Sequence, residues 1–221
     1  MSERNDPPML IKRILIFTGG HLNEWALALI QPNDYLIGAD AGALFLITNG
    51  YKPDVSLGDF DSVTAEELEV IRSNSSETLD FDPIDKDFTD TELAWQFALK
   101  KQPEEILLVG AIGTRFDHSL ANVHLLRQAA DQNILARIVD KHNCIRIVGN
   151  EMTLIRSSYT YVSLLPLTAT VAGITLKGFQ YPLDEATLQI GQSLGISNKL
   201  SEDSASIRIR EGLLLVIESM D

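Results

Sequence analysis

The stretch PDVSLGDFDSVTAEELEVIRS, residues 53–73, contains three successive structural patterns. Its apolar run ends at Gly58 and predicts a buried β-strand. Thr64, followed three residues later by Glu67, predicts the capped start of a helix. Asp59 and Asp61 stand between them on a glycine-containing turn. A strand, a turn and a helix in this order form the repeating unit of a parallel α/β sheet.

The same alternation extends on both sides of this stretch. Strand patterns cover residues 13–19, 35–40, 53–59, 77–81 and 105–113, and helical patterns cover residues 21–30, 64–73, 89–102 and 117–133. Asp117 is a candidate N-cap of the last helix. We therefore predict an α/β domain over residues 1–134, with a Rossmann-like parallel sheet and helices on both of its faces.

From residue 135 onward, strand patterns follow one another without helices. They cover residues 136–140, 144–149, 151–158, 161–167, 170–178, 186–191, 205–210 and 213–219. The segment SIRIREGLLLVIE predicts a terminal hairpin whose turn lies at Glu211 and Gly212. Residues 135–221 are therefore predicted to form an all-β domain, a sandwich or a small barrel.

The composition limits the classes of partner. The 221 residues carry a formal charge of −13, which argues against a nucleic-acid-binding protein because such proteins present basic surfaces. A single cysteine, Cys144, rules out a disulfide framework and indicates a reducing compartment. Neither a targeting segment nor an apolar run of membrane-spanning length is apparent. We predict a cytoplasmic protein that does not bind a membrane.

Aspartates recur where the predicted parallel strands end. They are Asp40, Asp59, Asp61, Asp85, Asp87, Asp90 and Asp117. Ligands of an open parallel sheet bind at the carboxyl ends of its strands, so these residues are predicted to converge. Clustered carboxylates repel one another unless a cation lies among them, and Mg²⁺ binds carboxylate and phosphate oxygens together. Lys86 and Arg115 would add positive potential for a phosphate ligand.

Each residue alone also has a simpler interpretation. Asp90 and Asp117 suit helix caps, Asp59 and Asp61 suit a turn, and Arg115 suits a surface ion pair of little energetic value. Convergence on one sheet edge favours a functional site, since independent caps need not share an edge.

Several motifs in this order resemble those of thiamin pyrophosphokinases. They are GDFDS (58–62), DKDFTD (85–90), GTRFDHSLAN (113–122), KGFQYPL (177–183), GISN (195–198) and IREGLLLVI (209–217). The resemblance implies an N-terminal α/β domain, a C-terminal β-sandwich, and a homodimer with active sites where the subunits meet. It also implies Mg²⁺-dependent transfer of the pyrophosphoryl group of ATP to thiamin, giving thiamin diphosphate and AMP.

The resemblance also assigns roles to individual residues. It implies that Asp59, Asp61 and Asp90 bind magnesium and, with Arg115, carry catalysis. Nucleotide contacts are expected from Lys86, Asp87, Arg115, Asp117 and His118, and substrate contacts from Asp40, Ser197 and Asn198. Thr114 stands where many relatives have glycine. No tryptophan follows Trp95, so Phe179 and Tyr181 are the candidates for packing against the thiamin pyrimidine.

Three other functions fit parts of the pattern. A related diphosphokinase acting on a pterin alcohol would share the acidic edge. The DFDSV segment also fits a haloacid-dehalogenase-like phosphatase with Asp59 as its nucleophile, although that motif normally follows the first strand and here follows the third. A non-enzymatic sensor would bind a nucleotide in one domain and a small molecule in the other.

Overall fold

The computed structural model describes residues 11–81 and 88–221. The chain divides into two compact units between Thr114 and Arg115. The boundary after residue 134, drawn where the sequence pattern changes, stays a prediction of domain organisation.

The first unit alternates strands and helices. Its elements are β1 (Arg13–Phe17), α1 (Glu24–Leu27), β2 (Tyr35–Ala39), α2 (Ala41–Thr48), β3 (Val55–Gly58), α3 (Ala65–Asn74), β4 (Thr78–Asp80), α4 (Asp90–Lys100) and β5 (Glu105–Val109). The strands are parallel and lie in the order β4-β3-β2-β1-β5. All five predicted strands are therefore present.

The parallel sheet has buried residues on both of its faces. In β1, Leu15 and Phe17 belong to an apolar cluster that also contains Ala26 of α1 and Leu46 of α2. The alternate β1 residues are fully buried as well, and α4 contacts β1, β2 and β3. The chain adds β2, β3 and β4 on one side of β1 and then crosses to place β5 on the other side. In open α/β sheets ligands bind at such a reversal, outside the carboxyl ends of the strands.

Helix α2 has no counterpart among the predicted helices. Its sequence, AGALFLIT, is apolar almost all round and lacks the polar stripe by which a surface helix is recognised. Gly42 brings the helix against β1, since a Cβ there would lie 2.0 Å from the carbonyl oxygen of Phe17.

The predicted helix starts of α3 and α4 are confirmed. The Thr64 hydroxyl accepts the Glu67 N–H, and the Glu67 carboxylate accepts the Thr64 N–H, which completes a capping box. At α4 the Thr89 hydroxyl accepts the Glu92 N–H at 3.2 Å.

The second unit begins with α5 (Phe116–Ala130) and continues as antiparallel strands. They are β6 (Leu135–Val139), β7 (Asn143–Val148), β8 (Glu151–Ile155), β9 (Tyr161–Pro166), β10 (Thr170–Lys177), β11 (Leu183–Gln189), β12 (Ser204–Arg208) and β13 (Leu214–Ser219). One group runs β6-β7-β13-β9 and the other β11-β10-β12-β8. Buried residues from both groups form one apolar cluster. The chain is thus a mixed α/β protein whose second unit consists mostly of antiparallel strands.

Two local predictions for this unit are wrong. Asp117 does not cap α5, because the N-cap position is Arg115 and Asp117 lies in the first turn. The last two strands do not form a hairpin: β12 pairs with β8 and β10, whereas β13 pairs with β7 and β9. After β12 the chain is held to β10, where the N–H groups of Arg210 and Glu211 donate to the Ala172 carbonyl oxygen. It then enters the other group of strands.

Cys144 lies in β7 and is 2% exposed. Burial raises the pKa of its thiol, and the neighbouring Arg146 partly opposes that effect. Within the described part of the chain, no helix has the length and apolar character needed to cross a membrane.

Candidate active site

The turn that follows β3 is fixed by a buried aromatic side chain. We call residues 58–62, GDFDS, the acidic turn. Phe60 has a φ of 54° and is 4% exposed, and it packs with Ala43 and Ile71 of the helices α2 and α3. Asp59 and Asp61 therefore lie on either side of a buried residue that fixes the backbone of the turn.

Hydrogen bonds bring Asp90 to the acidic turn. The Asp59 N–H donates to Asp90 Oδ1 at 3.2 Å, and the Asp61 N–H donates to Asp59 Oδ1 at 3.2 Å. A Cβ at Gly58 would lie 3.2 Å from Asp90 Oδ1, so glycine permits this approach. Thr89 is the N-cap of α4, so Asp90 lies in the first turn of that helix.

Asp40 joins the same group from the end of β2. Ser62 Oγ donates to Asp40 Oδ2 at 2.5 Å, and the Asp40 N–H donates to the Leu57 carbonyl oxygen at 3.0 Å. Burial raises the pKa of the Asp40 carboxyl, the Ser62 hydrogen bond opposes that effect, and the charges of Asp90 and Asp61 add to it. The predicted convergence of Asp40, Asp59, Asp61 and Asp90 is therefore observed within the first unit.

The oxygen chemistry of this group fits Mg²⁺. Magnesium usually binds one or two carboxylates and completes its shell with water and substrate phosphates. Among residues 11–81 and 88–221, no group of three or more His, Cys, Asp or Glu side chains is arranged to hold a metal ion by itself. The enclosed Asp40 Oδ1 accepts no hydrogen bond from a described side chain or backbone group. The predicted residues Asp85, Lys86 and Asp87 lie outside the described residues.

Arg115, Asp117 and His118 form an exposed cluster at the start of α5. Arg115 Nη2 lies 2.6 Å from Asp117 Oδ2, and Arg115 Nε lies 3.3 Å from Asp117 Oδ1. This fork-like hydrogen bonding lowers the pKa of the Asp117 carboxyl. His118 Nε2 is 4.0 Å from the same carboxylate. A phosphate could replace the Asp117 carboxylate as the hydrogen-bond acceptor of the Arg115 guanidinium.

Ser197 and Asn198 lie in the turn before Lys199 and differ in their surroundings. Ser197 is exposed, has a φ of 58°, and donates its N–H to Ser163 Oγ at 3.0 Å. The Asn198 side chain is buried: its Oδ1 accepts the N–H groups of Tyr181 and Lys199, and its Nδ2 donates to the Tyr181 carbonyl oxygen. Asn198 thus ties two loops together, while Ser197 stays open to solvent.

Two family models cover most of the chain. The model "Thiamin pyrophosphokinase, catalytic domain" matches residues 26–138, and "Thiamin pyrophosphokinase, vitamin B1 binding domain" matches residues 150–214. The chain belongs to the thiamin pyrophosphokinase family. Thiamine pyrophosphokinase of Bacillus subtilis is 35% identical over 187 residues, which are 84% of this chain and 87% of that protein. Membership in this family of enzymes implies ATP-dependent pyrophosphoryl transfer to thiamin.

Solved structures of thiamin pyrophosphokinases have the same fold. The Bacillus subtilis enzyme superposes with a TM-score of 0.89 at 33% identity, covering 95% of this chain and all of that one. The Geobacillus thermodenitrificans enzyme gives a TM-score of 0.85 at 33% identity and covers 95% and 98%. The family resemblance noted in the sequence is confirmed.

The thiamin pyrophosphokinase fold also brings together residues that the sequence argument did not select. Thr18 Oγ1 donates to the Gly110 carbonyl oxygen at 2.7 Å, which joins the carboxyl ends of β1 and β5. A Cβ at Gly20 would lie 1.9 Å from that same oxygen. The available signal was a glycine pair after β1 and a single glycine after β5. Ser62 was likewise not selected, although it lies within the GDFDS motif.

Proposed function

We propose that the protein transfers the pyrophosphoryl group of ATP to the hydroxyethyl oxygen of thiamin, by in-line attack at the β-phosphorus. The oxygen–phosphorus bond to thiamin forms while the bond from the β-phosphorus to the α,β-bridging oxygen breaks. That oxygen leaves with AMP, and the hydroxyl proton is released. The observation that supports the proposal most directly is the grouping of four carboxylates around the acidic turn of a thiamin pyrophosphokinase fold.

In this proposal Asp59, Asp61 and Asp90 hold Mg²⁺, directly or through water. When bound, the ion would offset charge on the phosphate oxygens. Asp90 and Asp59 are already linked through the Asp59 N–H, so the backbone keeps two of the carboxylates together before metal and nucleotide arrive. Such preorganisation lowers the cost of assembling the site.

Polar and cationic residues elsewhere in the chain are proposed to contact the nucleotide. Arg115 is proposed to contact phosphates, with Asp117 holding its guanidinium in a fixed orientation until a phosphate replaces the carboxylate. His118 is proposed to lie beside the nucleotide or the thiamin. Lys86 and Asp87 stay predictions for the same site.

The second unit is proposed to bind thiamin through the turn that contains Ser197. The vitamin B1 binding model, which spans that turn, supports this role, and Asn198 would hold the turn in shape. A formal charge of −13 would draw in the cationic thiazolium ring. We further infer a Rossmann-like first domain, a β-sandwich second domain and a homodimer. The cytoplasmic location stays a prediction.

The decisive test is product analysis. The purified protein would be incubated with ATP, Mg²⁺ and thiamin, and AMP and thiamin diphosphate would be separated by chromatography. We expect equal amounts of the two products, lost with EDTA and in Asp90→Asn. Asp131→Asn, which changes an exposed ion pair with Arg127, is the matched control and should retain activity.

Other products would point to other functions. ADP or free phosphate in place of AMP, or product formation that does not depend on thiamin, would refute the proposal. An aspartyl-phosphate trapped on Asp59 would indicate the phosphatase, and turnover of a pterin alcohol would indicate the related diphosphokinase.

A further inference from the structure

Ser62 closes the acidic turn onto the end of a different strand. Its hydroxyl donates to Asp40 Oδ2 at 2.5 Å, a contact between residues 22 positions apart. The backbone N–H of Asp40 donates to Leu57 at the end of β3. The main chain of Asp40 is therefore bonded to β3, and its side chain is bonded to the acidic turn that follows β3.

Asp40 adopts a backbone conformation that non-glycine residues avoid. Its φ is 53° and its ψ is −126°. A conformation of this kind persists only where the surrounding contacts impose it, and it is found preferentially at functional sites. The bonds to Ser62 and Leu57 are two such contacts.

The two oxygens of the Asp40 carboxylate have different surroundings. Oδ2 accepts the Ser62 hydroxyl, and Oδ1 is enclosed by protein atoms. Substrate contact by Asp40 stays a prediction. A carboxylate with one engaged and one enclosed oxygen is suited to act through its neighbours.

The acidic turn is restrained unevenly along its length. Asp59 is bonded to Asp90, and Phe60 is packed in the core. Asp61 is exposed, and its N–H bond to Asp59 is internal to the turn. The Ser62 bond to Asp40 is a contact that ties the exposed end of the turn to the end of β2.

We propose that Ser62 and Asp40 are positioning residues that hold Asp61 and Asp59 in the arrangement that binds a divalent cation. This inference rests on the proposed function only for the identity of that cation as Mg²⁺. Residues that orient metal ligands through hydrogen bonds typically change metal affinity by about 10–100-fold when they are replaced.

The test measures metal binding separately from catalysis. Mn²⁺, a spin-active substitute for Mg²⁺, would be titrated by electron paramagnetic resonance with the full chain, without nucleotide and with the non-transferable analogue α,β-methylene-ATP. The variants are Ser62→Ala, which deletes the donor, and Ser62→Thr, which keeps it. Ser157→Ala is the control, since it deletes a serine hydroxyl that accepts the Tyr159 N–H in another turn.

We expect Ser62→Ala to weaken Mn²⁺ binding about 10–100-fold and to raise the Mg²⁺ concentration needed for activity, with kcat at saturating Mg²⁺ much less affected. Ser62→Thr and Ser157→Ala should bind Mn²⁺ as the parent does, and all variants should melt at similar temperatures. Unchanged Mn²⁺ binding in Ser62→Ala would overturn the inference. Equal losses in Ser62→Thr, or no Mn²⁺ binding by the parent under either condition, would also overturn it.

The outcome can be separated from that of the proposed function. Weaker Mn²⁺ binding in Ser62→Ala, with no thiamin diphosphate formed even by the parent, would retain the positioning role and refute the proposed reaction. Thiamin diphosphate formation by the parent, with Mn²⁺ binding unchanged in Ser62→Ala, would support the proposed reaction and refute the positioning role.

Discussion

The acidic turn and the turn before Lys199 share one backbone feature and use their side chains in opposite ways. Each contains a non-glycine residue of positive φ, Phe60 at 54° and Ser197 at 58°. In the acidic turn an apolar side chain fixes the backbone, and the Asp61 carboxylate stays exposed. In the other turn Asn198 fixes the backbone and uses its own amide for that task. A side chain is available for a ligand when neighbouring residues, and not the side chain itself, fix the backbone of the turn.

The largest expected effect is a loss of activity without a loss of stability when aspartates of the acidic turn are replaced. Asp59→Asn and Asp61→Asn should each lower kcat/KM by about 10²–10³-fold, since they remove charge that offsets the reacting phosphates through the metal. Asparagine keeps the size of aspartate, and in Asp59→Asn the amide oxygen could still accept the neighbouring N–H, so the melting temperature should change little. Steady-state kinetics and calorimetry test both statements. A melting temperature that falls in parallel with activity would contradict this division of roles.

The second prediction is that replacing Asn198 lowers stability, in contrast to the aspartates of the acidic turn. Asn198→Ala removes the hydrogen bonds to the N–H groups of Tyr181 and Lys199 and to the Tyr181 carbonyl, and each such bond contributes about 0.5–1.5 kcal/mol. We expect the free energy of unfolding in urea to fall by at least that amount.

Asn198→Asp is the matched control, because it keeps the acceptor and loses the donor, and it should fall between the parent and Asn198→Ala. Unchanged stability in Asn198→Ala would show that the side chain is kept for binding alone.

A third prediction concerns Arg115, whose ion pair with Asp117 is exposed. Arg115→Ala should raise KM for ATP about tenfold, because a charge-assisted hydrogen bond to phosphate is lost. Stability should not change measurably, since exposed pairs contribute little. Arg115→Lys, which cannot form the fork, should restore only part of the affinity. An unchanged KM in Arg115→Ala would remove the residue from the nucleotide site.

The smallest expected effect is a loss of stability at alkaline pH that is linked to one tyrosine in each unit. Burial, reinforced by nearby carboxylates, raises the pKa of Tyr35 in the first unit to about 12. Burial also raises the pKa of Tyr159 in the second unit to about 12. An unfolded tyrosine ionises near pH 10.

The stability linked to these two phenols is therefore full below pH 10 and is lost as the pH rises from about 10 to about 12. Absorbance at 295 nm should show both phenols ionising late, and Tyr35→Phe and Tyr159→Phe should each remove one late step. Late ionisation that survives both substitutions would refute the assignment.

The sequence could predict elements whose signals are local. The Thr64 capping box, the five parallel strands and the run of β-strands after residue 135 each have a pattern of neighbouring residues. Helix α2 has no polar stripe, so its pattern gave no helical signal. The β12–β13 segment shows why pairing is harder to predict: two strands around a glycine turn look alike whether they pair or cross to another sheet.

The candidate site follows the same rule. Strand ends could be placed from the sequence, so the convergence of the aspartates could be predicted. The Asp59–Asp90 and Asp40–Ser62 contacts join residues 31 and 22 positions apart, and no local pattern encodes them. The use of Asn198 as a brace depends on where Tyr181 lies in the fold, which sequence spacing does not reveal.

Cys144 has a practical consequence for spectroscopy. The chain contains one thiol, which is buried and held protonated by its surroundings. The native protein should therefore react slowly with maleimides and iodoacetamides, because thiolate is the reacting form. A cysteine placed at an exposed position such as Ser157 would then be the fast-labelling site without removal of the natural one. A single fluorophore attached there would label the otherwise unmodified chain at one known position.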